Sequence, residues 1–423
     1  MSRLSRAVSL LAASTVLAAT TASFAQDATK PTVAETKAAT TTTADPQGAL
    51  KGSDVAEAPP PAALPAPPPL AVAWDLEDAK QLLGMVKDST AEGLETADYD
   101  HDALVSAIAG GEGEALNAVA NKAALQLARD YAFGRLTGDK AKFQWFIERS
   151  ANEAYMLPAG LAEAVKGDTV AEWIGAQRPQ NRHYAAMRTA LAETTDKATR
   201  DMLRANMERW RWMPRTLGTD YVYVNVPTYQ LWVVQSGKIA AIHNVVVGAK
   251  ETPTPQLAVP AGAVTANPSW HVPQSIIKSS GLRPGVGGYE YKPDGRGAFL
   301  VRQLPGPRNA LGRMKVEMYN PHAIYLHDTP AKALFAKKTR ALSHGCIRVQ
   351  YIDQLAARLA GEEGVPALQQ AQAQPKTVTL PLKKNWPVWL VYFTAEQDAD
   401  GKLVKLTDPY GRDAQVVKAL DAA

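Results

Sequence analysis

Tyr221-Val-Tyr-Val-Asn-Val226 divides this chain in two. Val222, Val224 and Val226 fall on one face of an extended segment, and Tyr221, Tyr223 and Asn225 fall on the other. That period of two predicts a strand buried on one side. The pattern continues C-terminally. Tyr229 to Gln235 reads as a second strand, Ser236-Gly237 as the turn, and Lys238 to Val247 as a third. Further strands are predicted at Ala298 to Gln303, Met314 to Met318, Ala323 to His327, Val378 to Leu382 and Val388 to Thr394. Ile352 to Leu359 reads as a helix. Successive strands joined by short turns predict a mostly antiparallel β-sandwich.

N-terminal to Leu217 the period is that of a helix. Leu116, Val119, Ala123 and Leu127 recur at helical spacing, as do apolar residues from Ala185 to Leu191, with Pro, Gly and Asn between the runs. The fold class expected is α+β, with a helical domain at 74–216 followed by a β domain at 217–423. Gln26 to Ala73 is rich in Ala, Thr and Pro and includes Pro59-Pro60-Pro61 and Pro67-Pro68-Pro69. It reads as a linker without a core of its own.

The first 25 residues have the layout of a cleavable export signal. Arg3 and Arg6 precede an uncharged apolar run from Ala7 to Ala19, and Ala22-Ser-Phe-Ala25 closes it. That run is short for a membrane span, which takes about 20 residues, so no stable transmembrane segment is expected after cleavage. Losing the two arginines lowers the formal charge from +4 to +2. So balanced a charge argues against a nucleic-acid partner. The expected location is the periplasm.

Export gives weight to the cysteine count, which is one. An unpaired cysteine in an exported chain is a reactive thiol, an intermolecular bridge or a buried inert residue. Cys346 sits in Ser343-His-Gly-Cys-Ile-Arg-Val349, nineteen residues after His327. A free thiol ionises near pH ~8.5, so a nucleophilic cysteine needs a base beside it. His327 and His344 are the candidate bases, and His344 would share a face with Cys346 in an extended segment. The carbonyl of Asp328 is placed to orient His327. Gly345 frees the backbone so that amides there can hold an oxyanion. Arg348 suits a substrate carboxylate. Cysteine acyl transfer, a Cys-His-His zinc site and a structural role all remain open on the residues alone. His101, His183, His243, His271 and His322 read as ordinary surface or core residues.

Several stretches together resemble one family. They are Asn206-Met-Glu-Arg-Trp-Arg-Trp-Met-Pro214, Tyr223-Val-Asn-Val-Pro227, Val247-Gly248 with Thr252-Pro-Thr-Pro255, and Asn267-Pro-Ser-Trp-His-Val-Pro273. Leu304-Pro-Gly-Pro-Arg-Asn-Ala-Leu-Gly312, His327-Asp-Thr-Pro330, Ser343–Val349 and Pro387-Val-Trp-Leu-Val-Tyr-Phe-Thr394 follow in order. The set resembles the YkuD-type L,D-transpeptidases, in their YcbB-like branch. The resemblance implies a helical scaffold domain, a catalytic domain with a capping loop at about 267–309, and no cofactor or metal. Cys346 would be the nucleophile and His327 the base, supported by His344, Gly345 and Asp328. Arg348, Tyr325, Trp270, Ser343 and Arg340 would meet the substrate. Thr252 to Pro255 would serve a turn.

The implied substrates are peptidoglycan stem peptides, donor and acceptor, and the implied inhibitors are carbapenems. Many YcbB-like members carry a peptidoglycan-binding module before the Asn206 stretch. Ala192–Met202 is too short to hold one. That departure aligns the chain with a branch making 1-3 rather than 3-3 cross-links. A hydrolase, a ligase joining an outer-membrane protein to the wall, and a non-enzymatic wall-binding module are the rival readings.

Overall fold

A computed structural model of the chain describes residues 72–423, apart from 286, 296 and 399. The export signal and nearly all of the linker lie outside the described residues. The helices are α1 (Leu76–Asp88), α2 (His101–Gly110), α3 (Glu114–Phe133), α4 (Ala151–Tyr155), α5 (Leu157–Lys166), α6 (Val170–Ala176), α7 (Arg182–Glu193) and α8 (Lys197–Trp212), with a two-residue strand β1 (Trp145–Phe146) between α3 and α4. Asp75, Asn181 and Asp196 cap α1, α7 and α8 by accepting from backbone N–H groups of the first turn. Met213-Pro214 follows the last turn of α8, and a proline cannot continue it. α3 turns Leu116, Ala120, Ala123 and Leu127 inward, onto Trp74, Leu82, Leu104, Leu161 and Ile174.

The strands that follow are β2 (Tyr221–Asn225), β3 (Gln230–Gln235), β4 (Lys238–Gly248), β5 (Gln256–Ala266), β6 (Trp270–Val272), β7 (Tyr289–Pro293) and β8 (Phe299–Gln303), with α9 (Gln274–Ser280) between β6 and β7. Then come β9 (Met314–Met318), β10 (Leu326–His327), β11 (Ala341–Ser343), β12 (Ile347–Val349), α10 (Ile352–Ala360), α11 (Val365–Ala373), β13 (Val378–Val391), β14 (Ala395–Gln397), β15 (Leu403–Lys405) and α12 (Arg412–Leu420). Eight of these strands run in the order β5-β13-β2-β3-β4-β12-β10-β9, and β9 pairs back onto β5. The faces of the expected sandwich thus join into one closed, barrel-like sheet on an α+β chain. β13–β2 and β10–β12 are its parallel pairs, and the rest are antiparallel.

Alternation decides what each strand buries. Val222, Val224, Leu231, Val233, Val316, Leu326, Ile347, Val349, Val388 and Leu390 fill the barrel, and α10 covers one side with Leu355 and Leu359. Tyr223 points the other way. It joins Leu203, Met207, Trp210, Phe393, Val416 and Val417 in a second core, formed where α8 and α12 lie on the sheet. The two strands expected at Val378–Leu382 and Val388–Thr394 are one strand, irregular between Pro381 and Trp386. The strand expected from Ala323 shrinks to Leu326–His327, because Ala323 takes a left-handed φ of 52° in a turn held by the Asn320 side chain.

Candidate active site

Three neighbouring strands build the site, and their period places its groups. β9 pairs with β10, and β10 pairs in parallel with β12. Val316, Leu326 and Ile347 point into the barrel, so Lys315 and Glu317, Tyr325 and His327, and Cys346 and Arg348 share the opposite face. The register is direct: His327 stands opposite Lys315 on one side and Arg348 on the other. The Ile347 N–H donates to the Tyr325 carbonyl at 3.1 Å, which brings Cys346 beside Tyr325.

The loop carrying the cysteine is a bend, not an extended segment. Gly345 has φ 114°, a left-handed value that disfavours any side chain. His344 therefore does not share a strand face with Cys346; it projects, exposed, at the bend. The Gly345 N–H already donates to Ser343 Oγ at 3.2 Å, and Ser343 Oγ donates to the Cys346 carbonyl at 2.6 Å. Ser343 is buried and shapes the loop, so the position expected to meet substrate faces the protein. Arg340 is likewise turned inward. Its guanidinium donates to the carbonyls of Val245, Lys337 and Tyr229, at 3.0, 3.1 and 2.9 Å.

The Thr252–Pro255 turn braces the loop from below. Thr252 Oγ1 donates to the Ser343 carbonyl at 3.0 Å, and Thr254 Oγ1 donates to the Gly345 carbonyl at 2.7 Å. Tyr410 Oη donates to the Gly248 carbonyl at 2.7 Å and accepts from the Thr254 N–H at 3.3 Å. A side chain at Gly248 would strike the Thr252 carbonyl. Sequence reasoning placed the turn without its purpose, and it missed Tyr410. The Thr-Pro-Thr-Pro repeat of hydroxyls was the available signal.

Burial and charge set the protonation states. His327 is buried, and its pKa falls to about 3. Burial is the main cause, the Arg348 cation adds to it, and the Asp328 backbone and the Asp328 charge oppose it. Nδ1 makes no well-formed hydrogen bond. The Asp328 carboxylate faces away from the ring, accepting from the Arg313 N–H at 2.9 Å and pairing with Lys332. Burial pushes the Cys346 thiol upward, against the Tyr325 N–H, the Tyr325 hydroxyl, and the Lys315 and Arg348 cations. Burial thus disfavours the charged form of both groups, the thiolate of Cys346 and the imidazolium of His327.

Cys346 Sγ donates to the Ala323 carbonyl at 3.4 Å. Arg348 Nε is buried without a hydrogen-bond partner among the described residues. The Tyr325 hydroxyl sits in hydrogen-bonding reach of Cys346 and of Trp270, which arrives on β6. β6, β8 and β7 form a separate three-stranded sheet in chain order 267–309. The Asn309 side chain ties its neck to the Pro268, Gln303 and Leu304 carbonyls.

Among known proteins, the family model described as the YkuD L,D-transpeptidase catalytic domain matches residues 219–381, and the scaffold-domain model matches 71–191. A provisionally named L,D-transpeptidase of Haemophilus influenzae is 32% identical over 243 residues, covering 51% of this chain and 48% of the relative. The chain thus spans about half the length of the curated relative it matches. The L,D-transpeptidase from Mycobacterium smegmatis aligns over 41% of this chain and 58% of its own at 13% identity, with a TM-score of 0.22. The imipenem complex of the LD transpeptidase LdtMt1 aligns over 41% and 59% at 12% identity, with a TM-score of 0.21. Residues 219–381, which hold the sheet and the cysteine loop, thus match the L,D-transpeptidase catalytic domain, behind a helical stretch that matches the scaffold domain.

Proposed function

We propose that the protein is an exported peptidoglycan L,D-transpeptidase with Cys346 as nucleophile and His327 as base. The observation that carries this is the parallel register of β10 and β12, which sets His327 one strand from the cysteine loop between two cations. A neutral buried imidazole accepts a proton. The Cys346 sulfur attacks the carbonyl carbon of an L residue followed by a D residue, and the thiol proton passes to His327. The oxyanion meets the Cys346 N–H and the Tyr325 hydroxyl. The C–N bond then breaks, and the D-side amine leaves with the proton from His327. The side-chain amine of an acceptor diaminopimelate attacks the thioester, and the thiol is regenerated. No cofactor enters. His344, exposed at the bend, and Trp270, beside Tyr325, border the cleft where the stems would lie.

Two stem bonds join an L centre to a D residue. They are diaminopimelate to D-Ala, which gives 3-3 links, and L-Ala to D-isoglutamate, which gives 1-3 links. In both, the leaving D residue carries a carboxylate beside the scissile nitrogen, which suits the Arg348 guanidinium, whose Nε has no hydrogen-bond partner among the described residues. The short joint favours 1-3 linkage, since only Thr194–Asp196 separates α7 from α8. A half-buried thiol at the edge of the cleft also suits carbapenem acylation; the LD transpeptidase LdtMt1 is known in complex with imipenem. The periplasm is the proposed compartment.

Incubation of the protein, and of Cys346→Ala, with disaccharide-tetrapeptide tests this by tandem mass spectrometry of the products. A dimer joined through L-Ala to diaminopimelate is expected. A diaminopimelate-to-diaminopimelate dimer overturns the linkage. Shortened monomers alone make the protein a hydrolase, and an adduct only with an outer-membrane protein makes it a ligase. Equal product from the alanine variant overturns the nucleophile.

A further inference from the structure

Lys315 has no role in the reaction as written, yet it lies against the residues that do. It is 7% exposed at the second position of β9, a cost for an ammonium that an apolar side chain would avoid. Its register partners are His327 on β10 and Thr265 on β5. Nζ lies 2.8 Å from Glu317 Oε2, and Glu317 Oε1 accepts from Thr265 Oγ1 at 2.6 Å. On its other side, Nζ lies 4.2 Å from the centroid of the Tyr325 ring. That ring meets the His327 ring edge-on at 5.5 Å, and its hydroxyl reaches Cys346 and Trp270. A continuous line of contacts therefore runs Thr265–Glu317–Lys315–Tyr325–Cys346, from β5 across β9 to the residues that lead into β10 and β12.

We infer that Lys315 is a positioning residue: held by Glu317 and Thr265, its ammonium fixes the Tyr325 ring and so sets the hydroxyl that contacts the Cys346 sulfur. The inference rests on Cys346 being the nucleophile. A cation over a phenol face attracts the ring and favours one orientation of it. It also draws electron density from the ring, which strengthens the hydroxyl as a donor to a thiolate or oxyanion. A buried ion pair kept where a methionine would pack is the mark of such a function rather than of stability. The charged and titratable groups on the face that carries the thiol are Lys315 and Glu317 from β9, Tyr325 and His327 from β10 and the residue before it, and Arg348 from β12; of these Tyr325, Lys315 and Arg348 act on the thiol directly.

The test reads the thiol directly and needs no peptidoglycan. Full-length protein is alkylated with iodoacetamide across a pH series. The S–C bond forms, iodide leaves and the thiol proton goes to solvent, and intact mass gives the rate. Lys315→Met, Lys315→Arg, Tyr325→Phe and the Lys315→Met/Tyr325→Phe double variant are compared with the native chain. Lys315→Met should slow alkylation at neutral pH by roughly threefold to tenfold and move the profile to higher pH, while Lys315→Arg restores most of the rate. In the Tyr325→Phe background the same Met substitution should change the rate by less than about twofold.

A Lys315→Met profile that superposes on the native one overturns the inference. So does an equal fold-drop in both backgrounds, which makes Lys315 a distant charge acting without the ring. Should Lys315→Met not fold, Glu317→Gln carries the same cycle: a drop that vanishes without the Tyr325 hydroxyl supports the inference, and no drop overturns it. Absence of muropeptide dimers alongside an intact alkylation cycle would sink the transpeptidase reading alone.

Discussion

Two regions of this molecule bury charge, and they do so in opposite ways. Where α8 meets the scaffold, Glu208 and Arg211 are fully buried and pair at 3.1 Å. Glu208 also accepts from the N–H groups of Arg135 and Leu136 and from the Trp212 indole, at 3.1, 2.8 and 3.0 Å. Arg211 reaches the Tyr184 hydroxyl and the Glu92 carbonyl. Every valence of the pair is closed. In the cysteine cleft, the buried His327 Nδ1 and Arg348 Nε make no well-formed hydrogen bond among the described residues. Buried polar groups are normally paired, and the open ones in the cleft are free to meet a substrate group. The first region holds the fold together, and the second is held by it.

That contrast can be broken, and the largest effect should come from the cleft. His327→Gln is expected to lower transpeptidation, or carbapenem acylation, by about 10²- to 10⁴-fold while leaving the thermal midpoint at neutral pH unchanged or raised. A midpoint drop equal to that of a seam variant would erase the distinction. Glu208→Ala should do the reverse. Leaving Arg211 buried without its carboxylate costs about 3–5 kcal/mol of unfolding free energy in denaturant titration, while the alkylation rate of the remaining folded protein stays native.

Thr254→Val probes the join between the two regions. It removes the hydroxyl that donates to the Gly345 carbonyl and accepts from the Gly248 N–H. About 1–3 kcal/mol should be lost, together with a several-fold slower acylation; loss of stability without loss of rate would show that the brace does not act on the loop.

The last effect is in pH, and near neutrality it is the smallest. Burial lowers His327 to about 3 and His183 to about 4, from an ordinary 6.5. Between those values the unfolded chain binds protons that the folded one refuses, so stability should fall as pH drops from 6.5 toward 3. The fall should be shallower in His327→Gln. Identical slopes would place the acid sensitivity elsewhere.

Alternation made β2, β3 and β4 legible, because each strand has one face in the barrel and one outside it. The same rule failed at β5, where Pro260 and Gly262 interrupt the apolar pattern although Pro260 sits in register opposite Pro387. Cys346 and His327 could be singled out from residue type and spacing as candidates. The bend between them and His344 could not, since a positive φ at Gly345 leaves no trace in periodicity. Arg340 and Ser343 read as substrate contacts because charge and hydroxyl near a cysteine invite it; only the carbonyls they meet show otherwise. The Thr254 bonds to Gly345 and Tyr410 span 91 and 156 residues, beyond the reach of local pattern. Lys315 was hidden by the same alternation that revealed its strand: Met-Lys-Val-Glu-Met reads as a strand with a wet face, and the face is dry.

The two sequence families meet this chain at 71–191 and 219–381 and leave 192–218 and 382–423 unclaimed. Those unclaimed stretches supply Leu203, Met207, Trp210, Val391, Phe393, Val416 and Val417, much of the core that α8 and α12 make with the sheet. The inheritable units and the foldable unit are therefore different objects. A gene fragment cut at the family boundaries would carry the chemistry and lose the mortar, with Tyr223 bared on one side and the Trp145–Phe146 strand gone from its pairing with Gln256 and Leu257. Swapping catalytic halves between relatives would succeed only if the graft brought its own last helix.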